Sequence, residues 1–207
     1  GAEPIRDPDI AAALAAMEIG GLAHTSFKRI DLARAFCDAY HAWITSSSLN
    51  RISGLDGFTR YACFAVTHAL EQWIMHHRSG RFRIFRGEYP GTRDLIALNG
   101  LPLEYIEDSP LAPGDAVMVS WPFSGSGNEH PLMRDMLARA SELGLPIFVD
   151  SAFFGMCQGM SIDWAEFNID TIAFSLSKCF ALNFHRLGMI YSRNVPPAID
   201  LLHSRNY

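Results

Sequence analysis

The chain has no surplus of positive charge. Its 17 lysines and arginines stand against 22 aspartates and glutamates, a formal charge of −5, and no segment gathers basic residues without acidic ones among them. Nucleic acid, which is bound through a basic footprint, is therefore excluded as an expected partner. No apolar run approaches the roughly 18 residues needed to cross a bilayer, so no membrane partner is expected either. The start, Gly1-Ala-Glu-Pro-Ile-Arg-Asp7, has neither the basic opening nor the apolar centre of a secretory signal, and the expected location is cytoplasmic; Gly1 reads as a remnant of tag removal. The four cysteines, Cys37, Cys63, Cys157 and Cys179, lack the close spacing of a zinc site or a redox pair and read as buried free thiols. Internal repeats and low-complexity tracts are absent.

What remains is an ordinary globular composition of 207 residues, 49% of them hydrophobic, enough for one large domain or two small ones. Apolar residues at three- and four-residue spacing predict helices over Ile10 to Met17 and Asp31 to Trp43. The polar break Ser46 to Ser48 with Asn50 then separates an N-terminal helical segment, 1–50, from a second unit, 51–207. From there strands and helices alternate. Strands are expected at Tyr61 to Val66, Arg81 to Phe85, Leu103 to Ile106, Ala116 to Trp121, Leu145 to Val149, Thr171 to Phe174 and Met189 to Ser192. Helices are expected at Thr67 to His77, Thr92 to Leu98 and Pro131 to Leu143. Strands apolar on both faces and separated by helices predict an α/β fold, a mainly parallel sheet covered on both sides. Ligands of such sheets sit beyond the carboxyl ends of the strands, where the chain places Asp150, Ser175 and the loop after Trp121.

Those strand ends carry a particular chemistry. Ile147-Phe-Val-Asp150 delivers a carboxylate, and Phe174-Ser-Leu-Ser-Lys178 with Arg186-Leu-Gly188 delivers a hydroxyl, an amine and a guanidinium. The set suits a cofactor that is cationic at one end and dianionic at the other, and pyridoxal 5′-phosphate is such a cofactor: Lys178 for its aldehyde, Asp150 for its ring nitrogen, Ser175 and Arg186 for its phosphate. Each residue alone reads more plainly. A lysine after Ser-Leu-Ser is usually a solvated loop residue, Asp150 alone a turn cap, and Arg186 alone a surface ion-pair partner. His76 and His77 read as ordinary half-exposed helix residues without metal partners, and no metal is expected. The joint order of the residues favours the cofactor.

With these positions in hand, the chain resembles the large domain of the fold type I pyridoxal phosphate enzymes, most closely the aspartate aminotransferase-like class I and II aminotransferases, over roughly Gly57 to Ser192. Ser175, Lys178 and Arg186 have the spacing of that family's serine, Schiff-base lysine and phosphate arginine. Val149-Asp150-Ser-Ala-Phe-Phe-Gly155 is similar to its Asp-x-Ala-Tyr stretch, and Arg86-Gly-Glu-Tyr89-Pro-Gly to its Pro-x-Tyr-x-Gly loop, which implies that Tyr89 stacks on the cofactor. Ala65-Val66-Thr67-His68 falls at the phosphate cup, where helix N-terminal amides and the Thr67 hydroxyl would receive the phosphate; the usual glycine is missing and Val66 stands in the loop. The catalytic set so implied is Lys178, Asp150 and Tyr89.

Three departures stand out. Ser124, in Pro122-Phe-Ser-Gly-Ser-Gly127, occupies the place of an asparagine that hydrogen-bonds the cofactor's phenolic oxygen, and Phe153 the place of a tyrosine that does the same. Loss of both donors implies a Schiff-base nitrogen that keeps its proton to higher pH. The family's chains are also roughly twice as long, with a small C-terminal domain that this sequence does not contain. The resemblance thus implies a pyridoxal phosphate-dependent enzyme acting on an amino acid, most simply an aminotransferase with amino acid and keto acid substrates, working as a homodimer. The alternative is a non-catalytic or truncated binding or assembly protein that keeps the fold.

Overall fold

The computed structural model describes residues 7–16, 30–180, 182 and 185–204. The chain begins with α1 (Pro8–Ala15), capped by the Asp7 carboxylate on the amides of Asp9 and Ile10, and α2 (Ile30–Thr45). It continues through β1 (Arg51–Ser53), β2 (Thr59–Cys63), α3 (Ala65–His76), β3 (Arg81–Ile84), α4 (Pro90–Leu98), β4 (Leu103–Tyr105), β5 (Asp115–Ser120) and α5 (Met133–Glu142). It ends with β6 (Ile147–Asp150), β7 (Ser161–Asp163), β8 (Thr171–Ser175), α6 (Leu176–Cys179), β9 (Gly188–Ser192) and α7 (Pro197–Ser204).

Seven strands form one sheet in the order β2-β9-β8-β6-β5-β3-β4. The pairs from β8 to β4 are all parallel, while β9 runs antiparallel to both β8 and β2. The mainly parallel sheet covered by helices on both faces is thus the observed fold. Its residues alternate between two cores, which explains why the strands read as continuously apolar. Val117, Val119, Ile147, Val149, Ile172 and Phe174 pack with α2 and α5, while Ala116, Met118, Phe148, Ala173 and Ile190 pack with α3, α4 and α7. Burying each large aliphatic or aromatic side chain contributes roughly 1.5–3 kcal/mol. Helix α3 is fixed to the sheet by its apolar stripe of Val66, Ala69, Leu70, Trp73 and Ile74, and by the buried Trp73 Nε1–H donating to Asp170 Oδ2 at 2.6 Å.

Several boundaries differ from the sequence reading. The strand expected over Tyr61 to Val66 stops at Cys63, because Ala65 already opens α3 with φ of +62°. Going from strand to helix in so few residues needs a left-handed residue, and a non-glycine there costs on the order of 1–3 kcal/mol. Gly188 makes the turn possible from below: a Cβ on it would stand 2.9 Å from Ala65 Cα. The strand expected from Leu145 begins only at Ile147, after Gly144 at φ +64° ends the preceding helix. The expected helix from Ile10 is seen as α1, with Met17 outside the described residues. The small parallel pair β1–β7 and the helices α6 and α7 were not anticipated.

Candidate functional site

Strands β5, β6 and β8 run in one direction and end at Ser120, Asp150 and Ser175, with Ser120 and Asp150 in register. Beyond these ends lies a cavity of ≈ 700 Å³. Its walls are the start of α3 (Ala65, Val66, Thr67), the loop Gly87 to Pro90, the loop of Pro122, Phe123, Ser124 and Gly127, the segment of Asp150, Ala152 and Phe153, and Ser175, Ser177, Lys178 and Arg186. Nine residues singled out from the sequence therefore share one cavity: Val66, Thr67, Tyr89, Ser124, Asp150, Phe153, Ser175, Lys178 and Arg186. His68 does not line it. Its ring lies 5.4 Å from that of Phe64, and it belongs to the site region only through its place in the first turn of α3.

Each element has a local reason for its position. Ser175 caps the four-residue α6 by accepting from the Ser177 amide at 3.1 Å, which turns the chain so that Lys178 meets the cavity. The Lys178 ammonium stands 5.5 Å from the centre of the Phe153 ring, so the aromatic ring without a hydroxyl still faces the amine. Arg186 is held at φ +50°, a strained conformation in the turn that leads into β9. Tyr89 opens α4 just ahead of Pro90, and its ring folds over Gly91, where a Cβ would sit 2.4 Å from Cε1. The aromatic placement over the cavity thus depends on that glycine.

The cavity wall carries groups of both charges. Among them are Arg186, the start of α3 and Ser177, whose buried hydroxyl has no partner among the described residues. Phe64, at the cap of α3, offers its amides no side-chain acceptor. A helix start without a cap, an orphaned hydroxyl and a guanidinium are the donors a phosphate requires. The same wall carries Asp150, whose Oδ1 accepts from the Ala152 amide at 2.9 Å. Burial pushes its carboxyl up to about 6, against the opposing pull of that amide and of the Lys178 charge.

Beside Asp150 stands Glu88, which the sequence reading passed over. Its Oε1 accepts from the Ser120 amide at 2.7 Å and its Oε2 from the Ser120 hydroxyl at 2.6 Å. Burial pushes it up to about 7, and Asp150 adds to the rise while the Ser120 donors resist it. The effect on stability has a definite sign. Between the ordinary value of 4.5 and about 7 the unfolded chain has released a proton that the folded one retains, so stability falls as pH rises through this window. Thermal unfolding of the cofactor-free protein should show this fall, and Glu88→Gln should flatten it, by about 3 kcal/mol once the parent's Glu88 is fully ionised above about pH 7. Parallel melting-temperature profiles of parent and variant would contradict it.

Among the described residues no group of three or more His, Cys, Asp or Glu is arranged to hold a metal, and no helix is long and apolar enough to cross a membrane.

The chain has the large-domain fold of the fold type I pyridoxal phosphate-dependent aminotransferases. Among solved structures it is similar to an aromatic amino acid aminotransferase with 3-indolebutyric acid (TM-score 0.66, 15% identity, covering 100% of this chain and 61% of that one). A histidinol-phosphate aminotransferase from Clostridium acetobutylicum gives 0.65 at 13% identity, covering 99% and 61%. An aromatic-amino-acid aminotransferase from Burkholderia pseudomallei, covalently bound to pyridoxal phosphate, gives 0.63 at 16% identity, covering 100% and 61%. The chain thus spans about three fifths of the length of these proteins. No protein-family description matches the sequence, and no curated protein does.

Proposed function

We propose that the cavity binds pyridoxal 5′-phosphate and that the protein acts on an amino acid, most simply as an aminotransferase that yields a keto acid. The observation that carries this reading is the meeting of Lys178, Asp150, Tyr89, Ser175 and Arg186 in one cavity, whose wall holds both cationic and anionic groups. When bound, the cofactor supplies a carbonyl that condenses with amines and a cationic ring that draws electrons from the substrate's α-carbon.

The chain's own residues then have distinct tasks. Arg186, Ser175, Ser177, Thr67 and the first amides of α3 bind the phosphate. Asp150 holds the proton on the ring nitrogen, Tyr89 covers one ring face, and Val66, Phe123, Phe153 and Met156 keep water from the reacting atoms. Lys178 would hold the cofactor's carbonyl, and its Nζ, as the free amine, is the group that would take the proton from the substrate's α-carbon. A second copy would cover the apolar Phe64 and Leu187, which are 57% and 41% exposed and adjoin Ala65 and Arg186 of the cavity wall, in keeping with a homodimer.

The test is a single-turnover one. The cofactor-loaded protein, mixed with a panel of amino acids, should convert its cofactor to the amine form and release one keto acid per chain. Conversion with no amino acid would refute the aminotransferase reading. Arg186→Ala should weaken binding of the cofactor roughly tenfold to a hundredfold, the scale of charge-assisted hydrogen bonds to a dianion. Unchanged affinity by fluorescence titration would remove Arg186 from the phosphate site.

A further inference from the structure

Glu88 is the buried acid that the proposed chemistry leaves without a task. It is 9% exposed, lines the same cavity as Asp150, and stands one residue before Tyr89. Three donors meet its carboxylate: the Ser120 amide, the Ser120 hydroxyl and, at 3.3 Å, the Tyr89 amide. Ser120 is in turn the register partner of Asp150, so the two acids occupy neighbouring strand ends. The Ser120 hydroxyl also accepts from the Ser124 amide at 2.8 Å, which links Glu88 to the neighbouring loop of Pro122 to Gly127. The titratable group facing Glu88 is Asp150 from β6, with the Lys178 ammonium acting in turn on Asp150. Two carboxyls beside one cavity, one of them already furnished with three donors, form a place for positive charge rather than a neutral hydrogen-bonding wall.

We propose that Glu88 is a positioning residue for the cationic ring, a second carboxylate whose negative charge reinforces that of Asp150 and whose hydrogen bonds through Ser120 tie that charge to the placement of Tyr89 and the Ser124 loop. The inference rests on the cofactor reading and deepens it. Arrival of the cationic ring favours the ionised acid, and the carboxyl proton leaves to solvent. The chemistry recognised is a heteroaromatic cation carrying an anionic phosphate.

Two probes isolate the charge. Pyridoxamine 5′-phosphate forms no covalent bond with Lys178, and benzyl phosphate presents the same kind of anion on an uncharged ring. For the parent, the preference for pyridoxamine 5′-phosphate over benzyl phosphate should grow between about pH 6 and about pH 8, as Glu88 ionises near 7. In Glu88→Gln, which keeps an acceptor for the Ser120 amide, the preference at about pH 8 should be roughly tenfold smaller and should rise with pH only by the smaller part that Asp150, held up to about 6, contributes. Equal preferences in parent and variant overturn the proposal. So does a loss of the same size at both pH values, which would mean that Glu88 only shapes the loop. Should Glu88→Gln fail to fold, the parent profile still tests it: a preference that is flat, or that stops rising by about pH 7 as Asp150 alone at about 6 would make it, overturns the proposal. A parent that never prefers pyridoxamine 5′-phosphate at any pH overturns the cofactor reading itself, a result distinct from preference without pH dependence.

Discussion

Lys178→Ala protein treated with pyridoxal 5′-phosphate and then borohydride should carry no reduced adduct in the cavity, where the parent carries one per chain. The sequence makes the experiment clean, because Lys28 and Lys178 are the only two lysines in the chain. Of these, Lys178 lines the cavity with Asp150 and Arg186, and Lys28 lies outside the described residues. Peptide mapping of the reduced parent should therefore place the adduct on Lys178. The variant should still bind the cofactor without a covalent bond, since Arg186, Ser175 and the α3 amides remain, so its affinity falls without vanishing. Turnover should be lost by roughly a hundredfold to ten-thousandfold or more, the contribution of a positioned general base. Retention of the adduct in Lys178→Ala, or its mapping to Lys28 in the parent, would end the assignment.

That Lys178 can be singled out at all reflects what a sequence can carry. Strands buried on both faces leave a signature in composition, so β3, β5, β6 and β8 were legible, and with them the strand-end residues Asp150 and Ser175. Direction was not legible: nothing in Met189 to Ser192 distinguishes a strand antiparallel to its neighbours from one that follows the rest. The pair β1–β7 is three residues a side, too short for any period to show. Within the site, Ser175 was found through its spacing to Lys178, and that match left Ser177 without a role, although its orphaned hydroxyl faces the same cavity. Glu88 escaped for a different reason. A glutamate between glycine and Tyr-Pro-Gly reads as a solvated turn residue, and only the approach of Ser120 from a strand distant in sequence buries it and supplies its donors. The left-handed Ala65 was concealed in the same way, by a residue type that gives no sign of the conformation required of it.

Asp150→Asn should move activity and stability in opposite directions. Asparagine keeps the shape of the side chain and an oxygen to accept from the Ala152 amide, so the local turn should persist. It carries no charge, and its amide would favour a ring nitrogen without a proton. Turnover of an amino acid should then fall by about 10²- to 10³-fold, the usual loss when a fixed charge is withdrawn from a developing one. The adduct on Lys178 should still form, which separates this variant from Lys178→Ala. The cofactor-free protein should meanwhile become more stable above about pH 6. Burial holds the native carboxyl up to about 6 against an ordinary 3.8, so between these values the unfolded chain has given up a proton that the folded chain keeps, and stability declines as pH rises. Above about 6 the full cost of a buried charge remains, about 1–3 kcal/mol, and asparagine removes it. Melting temperatures should differ by several degrees at about pH 8 and converge near pH 4. A variant that is inactive and also less stable at every pH would point to simple misfolding, and one with parental turnover would take Asp150 out of the chemistry. The expected pairing, a more stable empty fold with a slower reaction, is what a carboxylate placed for a cationic ligand at the expense of the empty protein must show.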